Sequence, residues 1–209
     1  ETICDAHGIE MRPVTAEEKA EIMDMLHGNA GGGDTYDNRS RYKRAWKVIN
    51  HQTRSNLEKF CENRGIEGYE NGLTRLFHGS GTENWWSILI NGLILRPNAA
   101  YCGSAFGHGT YFAPSSQKSF GYTSGSNLWR DNSGHRGSIF LGIFDVATGG
   151  IYDIYGERKG TPDNESQLHA ISPDYDCLWA YGGKGYVAHD EVVVYNEHQS
   201  SIKYLIECQ

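Results

Sequence analysis

The segment from Leu76 to Tyr122 constrains this chain more than any other stretch. It holds three glycine-containing motifs: Leu-Phe-His-Gly-Ser at 76–80, Phe-Gly-His-Gly-Thr-Tyr-Phe-Ala at 106–113 and Ser-Gln-Lys-Ser-Phe-Gly-Tyr at 116–122. A glycine beside a histidine lets a ligand approach the backbone closely, and tyrosine rings offer flat faces to a planar group. The pattern therefore indicates a site for a small molecule that contains a planar ring.

Short helices are predicted within this segment. Thr82 is a candidate N-cap for a helix with apolar positions at Trp85 and Leu89, and Gly92 is suited to end it. The third motif, 116–122, has room for one or two helical turns.

The three motifs, in this order and spacing, resemble the first half of the catalytic domain of the poly(ADP-ribose) polymerase family. Any one of them alone is a weak signal, whereas three in order are specific. The resemblance implies an α+β ADP-ribosyltransferase fold, in which two packed strand-rich sheets with outer helices enclose a cleft for NAD. It also implies transfer of ADP-ribose from NAD to an acceptor, with release of nicotinamide.

Composition agrees with a globular, strand-rich domain. Of the 209 residues, 38% are apolar and 12% aromatic, and the 26 glycines indicate many turns. No stretch approaches about 18 apolar residues and no secretory signal is present, so we expect no membrane span and an intracellular protein, in the cytoplasm or nucleus.

The charge, the cysteines and the histidines bear on which acceptors, disulfides and metals this chain can have. The net charge of −7 makes a nucleic-acid acceptor less favoured than a protein acceptor, and we interpret the basic run at 39–44 as a solvated strand face. Five cysteines without a Cys-x-x-Cys pair argue against a disulfide framework and a zinc site. The nine histidines lack His-Glu-x-x-His spacing, so we expect no metal.

Before the first motif, the sequence predicts two helices and a strand. Thr15–Glu18 forms a capping box that opens a helix ending at Gly28, whereas residues 1–14 show no clear period. Alternation predicts a strand over Tyr42–Gln52. Ser55–Glu58 is a second capping box, and it predicts a short helix stopped by Gly65.

After the third motif, the sequence predicts mostly strands. Ile139–Val146 is apolar on both faces and should lie inside a sheet, followed by a hairpin turn at Gly149-Gly150 into Ile151–Tyr155. Residues 156–175 form a polar excursion, and 176–188 are irregular. Two further strands are predicted at Glu191–Tyr195 and Ile202–Ile206.

The resemblance covers roughly Arg41 to the C-terminus. We therefore expect an N-terminal extension with one helix at 1–40 and an ADP-ribosyltransferase catalytic domain at 41–209. Residues 1–41 are too few for the all-helical regulatory domain that precedes the catalytic domain in some members. The first residue is Glu1 rather than Met, so we expect a piece of a longer protein.

The resemblance assigns residues to the nicotinamide end of NAD. Tyr111 and Tyr122 would stack on the nicotinamide ring, although in a chain with 13 tyrosines each alone is more often a core aromatic. Gly79 would bind the carboxamide through its backbone and Ser119 through its hydroxyl, with Ser80 adjacent.

The resemblance also assigns residues to the two riboses and the phosphates of NAD. His78 would bind the adenosine ribose, and Glu191 the 2′-hydroxyl beside the reacting carbon, which completes a triad of His78, Tyr111 and Glu191. Lys118 would support Glu191 through a charge-assisted bond. Arg96 would face the phosphates.

Other carboxylates and histidines near these motifs receive structural interpretations. Asp190 should face away from Glu191 because strand side chains alternate, and Glu197 should be a turn residue. His108 is interpreted as structural because the family accepts various residues there.

Several alternatives stay open at this point. The intact triad permits polymer formation, but the acceptor-side loop at 172–189 and the donor loop at 97–104 are short, so mono- and poly-ADP-ribosylation are unresolved. The alternative functions are an NAD- or ADP-ribose-binding module and an NAD glycohydrolase with little transfer. The acceptor molecule, the acceptor residue and the oligomeric state are not determined by the sequence.

Overall fold

The computed structural model describes residues 3–28, 36–95, 105–123, 138–156, 160–183 and 185–209. The helices in these ranges are α1 (Ile3–Ala6), α2 (Ala16–Leu26), α3 (His51–Arg64), α4 (Trp85–Asn91), α5 (Ser116–Phe120) and α6 (Glu165–Ile171). The strands are β1 (Ile9–Pro13), β2 (Tyr42–Asn50), β3 (Leu73–Gly79), β4 (Thr110–Phe112), β5 (Ile139–Ala147), β6 (Ile151–Ile154), β7 (Cys177–Ala180), β8 (Glu191–Val194) and β9 (Ser200–Cys208).

The strands form two sheets, which confirms the predicted α+β class. The larger sheet has the order β1-β2-β9-β5-β3, with every neighbouring pair antiparallel. The smaller sheet has the order β4-β8-β7-β6, in which only β6 and β7 run parallel. Strand β5 lies between two neighbours, as its two apolar faces predict.

The main hydrophobic core lies where the two sheets and helix α4 meet. Buried side chains from both sheets form one cluster with α4, including Leu76, Phe144, Val192 and Trp85. A second cluster packs α2 against the larger sheet, and a third packs α6 against the smaller sheet. Each sheet therefore has both faces at least partly covered.

Local capping signals predicted several boundaries correctly. The Thr15 capping box is present at the start of α2, and Glu18 supplies its reciprocal bond. Gly65 and Gly92 end α3 and α4 with positive φ values of 69° and 74°. Thr82 opens a 3₁₀ turn that leads into α4 rather than capping the α-helix itself.

The predicted start of α3 at Ser55 is wrong. The helix begins at His51, directly after β2, because the Asn50 side chain accepts a bond from the backbone N–H of Thr53. The same Asn50 amide donates to the carbonyls of Leu89 and Ile90 at 2.8 and 2.9 Å. A buried asparagine thus caps one helix and ties it to another.

The predicted hairpin at Gly149-Gly150 is also wrong, because this turn carries the chain from the larger sheet to the smaller one. The N–H groups of Thr148 and Gly149 both donate to the Gly72 carbonyl. The N–H of Gly150 donates to Asp176 Oδ2 at 2.9 Å. These bonds direct β6 toward β7, so β5 and β6 lie in different sheets.

The sequence interpretation missed six elements, of which strands β3 and β4 overlap the first two motifs. Helix α1 and strand β1 lie where no period was found, α6 lies in the supposed polar excursion, and β7 lies in the supposed irregular region. Strand β1 pairs with β2 along its whole length. Within the described ranges, no helix is long and apolar enough to cross a membrane.

Candidate active site

A cleft of about 460 Å³ opens where the edge strand of the larger sheet meets the smaller sheet. Strands β3 and β4 are joined there by two backbone bonds between Phe77 and Ala113, at 2.8 and 2.9 Å. The walls come from the end of β3, helix α4, strand β4 and helix α5. All three sequence motifs therefore contribute to one cleft.

Gly79 presents its backbone to this cleft. In an antiparallel strand the N–H and C=O of every second residue point to the same side, so Gly79 shares the direction of Phe77, whose groups point away from β5 to Ala113. A side chain at Gly79 would collide with the backbone carbonyl of Ser119. Glycine is thus required here by the close approach of α5.

His78 has a defined tautomer. Its Nδ1 lies 2.9 Å from the carbonyl oxygen of Tyr111, which can only accept, so Nδ1 carries the proton. Burial lowers the pKa of His78, and the bond to Tyr111 only partly opposes that effect. The ring is therefore neutral near pH 7 and its Nε2 is an acceptor. Three aromatic rings stand edge-on around it at centroid distances of 5.8–6.4 Å: Trp85, Phe112 and Phe144.

Tyr111 lines the cleft while its hydroxyl holds the preceding turn. The hydroxyl donates to the Gly107 carbonyl at 2.9 Å and accepts from the Phe106 N–H at 2.8 Å. The Tyr195 hydroxyl also donates to the Phe106 carbonyl, at 2.7 Å. The ring of Tyr111 is therefore fixed before any ligand arrives, which the sequence did not predict.

Helix α5 and the turn after it bring three predicted residues to the opposite wall. Lys118, Ser119 and Tyr122 all line the cleft, and Tyr122 is 45% exposed at its rim. The helix is anchored by Asn38, whose side-chain amide donates to Ser116 Oγ at 3.0 Å. Asn38 is buried and was not identified from the sequence, because nothing local links it to residues 78 positions away.

Glu191 begins β8 and is almost fully buried. Its Oε1 forms an ion pair with Lys118 Nζ, the contact that the sequence interpretation suggested. Its Oε2 is buried and has no hydrogen-bond partner among the described residues. Burial lowers the pKa of Lys118 to about 8, and the nearby Asp190 carboxylate opposes this effect. The site thus holds a buried carboxylate that is satisfied on one oxygen only.

The neighbouring carboxylates are engaged elsewhere. Asp190, which directly precedes β8, accepts bonds from Trp179 Nε1 at 3.2 Å and from the Gly182 N–H at 2.8 Å. Glu197 lies in a 3₁₀ turn and accepts from the Leu95 N–H at 2.7 Å.

The structure describes His108 but not Arg96 or the donor loop. His108 is exposed, and its backbone N–H donates to the Asp163 carbonyl. Arg96 and the donor loop at 97–104 lie outside the described residues.

The sequence interpretation did not identify the apolar wall of the cleft. Helix α4 and the segment that follows it contribute Ile88, Leu93 and Ile94. Among the described residues, no group of three histidine, cysteine or acidic side chains is placed to hold a metal ion. The arrangement combines an apolar wall, aromatic faces, directed backbone groups and one buried carboxylate. Such a cleft can hold a planar ring and stabilise positive charge beside it.

Comparison with known proteins gives a consistent result. A family model described as the poly(ADP-ribose) polymerase catalytic domain matches residues 33–209. A poly(ADP-ribose) polymerase-like protein of Invertebrate iridescent virus 6 is 29% identical over 81% of this chain and 89% of its own length.

Other relatives are much longer than this chain. Poly(ADP-ribose) polymerase 2 of Zea mays is 28% identical over 86% of this chain, which spans only 28% of the maize protein. A human protein named protein mono-ADP-ribosyltransferase PARP8 is 50% identical over 25% of this chain and 6% of its own length.

Proposed function

This chain belongs to the poly(ADP-ribose) polymerase catalytic-domain family, and from that membership we propose how its cleft carries out the reaction. The family reaction makes it an NAD-dependent ADP-ribosyltransferase, which releases nicotinamide and moves ADP-ribose to an acceptor. NAD is the co-substrate. The roles of individual residues below are our proposal.

We propose that the nicotinamide ring lies between Tyr111 and Tyr122. The outward-facing N–H and C=O of Gly79 would pair with the carboxamide, which offers one acceptor and one donor group. The Ser119 hydroxyl would bind the same carboxamide, because α5 packs directly against Gly79. These contacts fix the leaving group without using a charge, which suits nicotinamide because it departs as a neutral base.

The adenosine end of NAD would lie along β3 beyond this point. A neutral His78 with an acceptor at Nε2 is matched to a ribose hydroxyl, which can donate to it. Ser80 lines the cleft next to His78 and would extend the same contact. Arg96, outside the described residues, would face the phosphates.

The observation that carries the catalytic proposal is the incomplete bonding of Glu191. A buried carboxylate oxygen without a partner is unfavourable unless a ligand completes it. The ribose 2′-hydroxyl would donate to Oε2, while Lys118 holds Oε1. As the bond to nicotinamide breaks, positive charge builds on the ribose ring, and the fixed carboxylate stabilises it.

We further propose that the acceptor is a protein. The name of the PARP8 relative, protein mono-ADP-ribosyltransferase, supports this choice, and the net charge of −7 disfavours nucleic acid. The acceptor-side region 172–189 is short and contains strand β7, so we propose that few ADP-ribose units are added at each site. Residues 1–40 would act as an extension of the catalytic domain at 41–209.

Incubation of the chain with NAD labelled on the adenylate, with and without a cell extract, tests these proposals. We expect discrete labelled protein bands and release of nicotinamide. A long ladder would contradict limited extension. Nicotinamide release without any labelled protein would identify an NAD glycohydrolase, and label on nucleic acid alone would contradict a protein acceptor.

A further inference from the structure

Strand β3 forms one edge of the larger sheet, and part of that edge is unpaired. Along β3 every second residue points its N–H and C=O away from β5, as Phe77 does toward Ala113. The Leu73 N–H follows the same rule and donates to the Gly68 carbonyl at 3.0 Å. Arg75 lies between these two positions. Its N–H and C=O therefore also point outward, and they have no hydrogen-bond partner among the described residues.

The pairing of β3 with the segment after β4 stops for a local reason. The bridge at Phe77 is antiparallel, so the next bonded pair along the ladder would join Arg75 to Ser115. The Ser115 side chain instead caps helix α5, which packs against Gly79 at the other end of β3. The chain thus leaves the ladder before it reaches Arg75.

A groove of about 880 Å³ runs along this unpaired edge, and β3 residues 73–76 line one side of it. The side chains of four consecutive strand residues alternate between the two faces of the sheet, so the feature that they share is the strand edge. Helix α2 forms another wall, and Tyr69 and Pro114 complete the lining. The backbone of Arg75 therefore borders a space that can take an extended chain beside β3.

Helix α2 contributes an acidic stripe to the groove. Glu17, Glu21 and Asp24 line it, and their spacing of four and three residues places them on one helical face. Glu21 is paired with Arg75 and Lys203. Glu17 and Asp24 are exposed and belong to no ion pair within the part of the chain that the structure describes. The groove thus carries negative charge that its own lining does not balance.

An extended segment with lysine or arginine side chains matches both features. Its backbone would pair with Arg75 as an added strand, and its cations would lie beside Glu17 and Asp24. A second copy of this chain matches less well, because its net charge of −7 has the same sign as the groove.

We propose that this groove docks a basic, extended segment of the acceptor protein. The inference rests on the proposed function, because the docked protein is the one that receives ADP-ribose. Arg75 lies four residues before Gly79, roughly 13 Å along the strand. The docked segment leaves the NAD cleft accessible, and the residue that is modified lies elsewhere on the acceptor.

Binding of synthetic peptides gives the first test. The probes are fluorescent Lys-Thr-Lys-Thr-Lys, its counterpart Glu-Thr-Glu-Thr-Glu, and the basic peptide N-methylated at two neighbouring residues, all measured by anisotropy at low salt. We expect only the unmethylated basic peptide to bind well, with methylation weakening it by about tenfold or more. Equal binding of the methylated peptide would contradict strand pairing. If the basic peptide shows no saturable binding, the groove is not a docking site.

Two double variants with the same change in charge locate the peptide. Glu17→Gln/Asp24→Asn should weaken binding of the basic peptide by about tenfold or more. Glu58→Gln/Glu62→Gln, at exposed positions on α3, should bind within about twofold of wild type. Equal weakening by both pairs would mean that net charge attracts the peptide, and no weakening by the first pair would place the peptide outside the groove.

Protein labelling tests whether the occupant is the acceptor. With adenylate-labelled NAD and a cell extract, Glu17→Gln/Asp24→Asn should label protein about fivefold less than wild type, and excess basic peptide should inhibit wild type similarly. Nicotinamide release without extract, and the rise in melting temperature caused by benzamide, should be unchanged because the cleft is intact. A peptide that binds the groove without lowering labelling would overturn the acceptor as its occupant.

Two further outcomes identify what has failed. A wild-type chain that binds the basic peptide but releases no nicotinamide from NAD would contradict the proposed function and not the docking groove. A chain that sediments as a dimer, and that the basic peptide converts to a monomer, would show that a second copy fills the groove and would overturn the acceptor as its occupant.

Discussion

Two clusters of charged side chains in this molecule differ in how completely they are bonded. The α2 cluster centres on Glu21, whose Oε1 contacts Arg75 and Lys203 and whose Oε2 accepts from the Tyr204 hydroxyl at 2.5 Å. The cleft pair consists of Lys118 and Glu191, in which one carboxylate oxygen has no partner among the described residues.

The difference in bonding suits a structural role for the Glu21 cluster and a functional role for the Lys118–Glu191 pair. Every oxygen of Glu21 is used to tie α2 to the larger sheet, so the cluster needs nothing further. Glu191 is more deeply buried than Glu21, at 5% against 23% side-chain exposure, yet less completely bonded. A protein that leaves a buried oxygen unpaired generally does so for a ligand or a reaction. Five predictions test this division, beginning with the largest effect.

Glu191→Gln should lower the turnover of NAD roughly a hundredfold or more, with little change in KM for NAD. The change is nearly isosteric and removes only the charge, whose partner develops in the transition state. Initial rates of nicotinamide release across a range of NAD concentrations measure both parameters. Glu197→Gln, on the exposed 3₁₀ turn, is the matched control and should keep wild-type rates. Normal turnover by Glu191→Gln would remove this carboxylate from the reaction.

Lys118→Met should lower turnover at pH 7 roughly tenfold to a hundredfold, because the carboxylate loses its charge-assisted bond. In wild type, turnover should decline as pH rises through about 8, where Lys118 loses its proton. The variant should lack that decline. A wild-type profile that stays flat to pH 9 would show that the charge on Lys118 is not needed.

The stability of the folded chain should respond to pH in the opposite direction. The pKa of Lys118 is lowered from 10.5 to about 8 on folding, so the unfolded chain binds more protons between these values. The contribution of Lys118 to the free energy of unfolding therefore rises with pH in that window. Urea titrations between pH 7.5 and 10 measure the free energy of unfolding of wild type and of Lys118→Met. The rise with pH should be present in wild type and absent from the variant.

Much of the fold was predictable because its signals are local. The capping box at Thr15, the helix ends at Gly65 and Gly92 and the helical turns at Ser116–Phe120 each depend on residues within one turn of one another. A continuous apolar run predicts the long strand β5. Of these elements, α4 and α5 line the cleft, and the motifs themselves supply its other walls.

The elements that were missed depend on distant partners. Strand β7 has only four residues, and it is a strand because β6 and β8 pair with it on either side. The turn at Gly149-Gly150 resembles a hairpin in sequence, but Asp176 redirects it from 26 residues away. Periodicity within a short window carries no information about such contacts.

The site shows the same division between local and distant signals. Motif spacing predicted His78, Tyr111 and Ser119 as site residues, and all three line the cleft. The anchoring role of Asn38, in contrast, has no local sequence signal. The bond that fixes the Tyr111 hydroxyl to Gly107 also required the structure, because a tyrosine in a motif indicates only a ring. The functional roles of these residues stay predictions.

Tyr122→Ala should weaken benzamide binding by about 1–3 kcal/mol through loss of a stacking face, while Tyr122→Phe should be nearly neutral. Because the ring is 45% exposed, its removal should barely change the melting temperature of the unliganded chain. Calorimetric titration of the three proteins measures the difference. Trp86→Ala provides an exposed aromatic control that does not line the cleft. Equal weakening by Ala and Phe would assign the effect to the hydroxyl.

Glu21→Gln should have the smallest effect on turnover and act on stability instead. The amide keeps the shape of the side chain but removes the carboxylate that pairs with Arg75 and Lys203, so the free energy of unfolding should fall by about 1–2 kcal/mol. For a chain of this length that corresponds to a melting temperature lower by about 2–8 °C. Turnover per folded molecule, measured well below the transition, should match wild type. Asp24→Asn, exposed on the same helix, should change the unfolding free energy by less than about 0.5 kcal/mol. A Glu21→Gln protein that melts normally but turns over slowly would mean that completeness of bonding does not distinguish the two clusters.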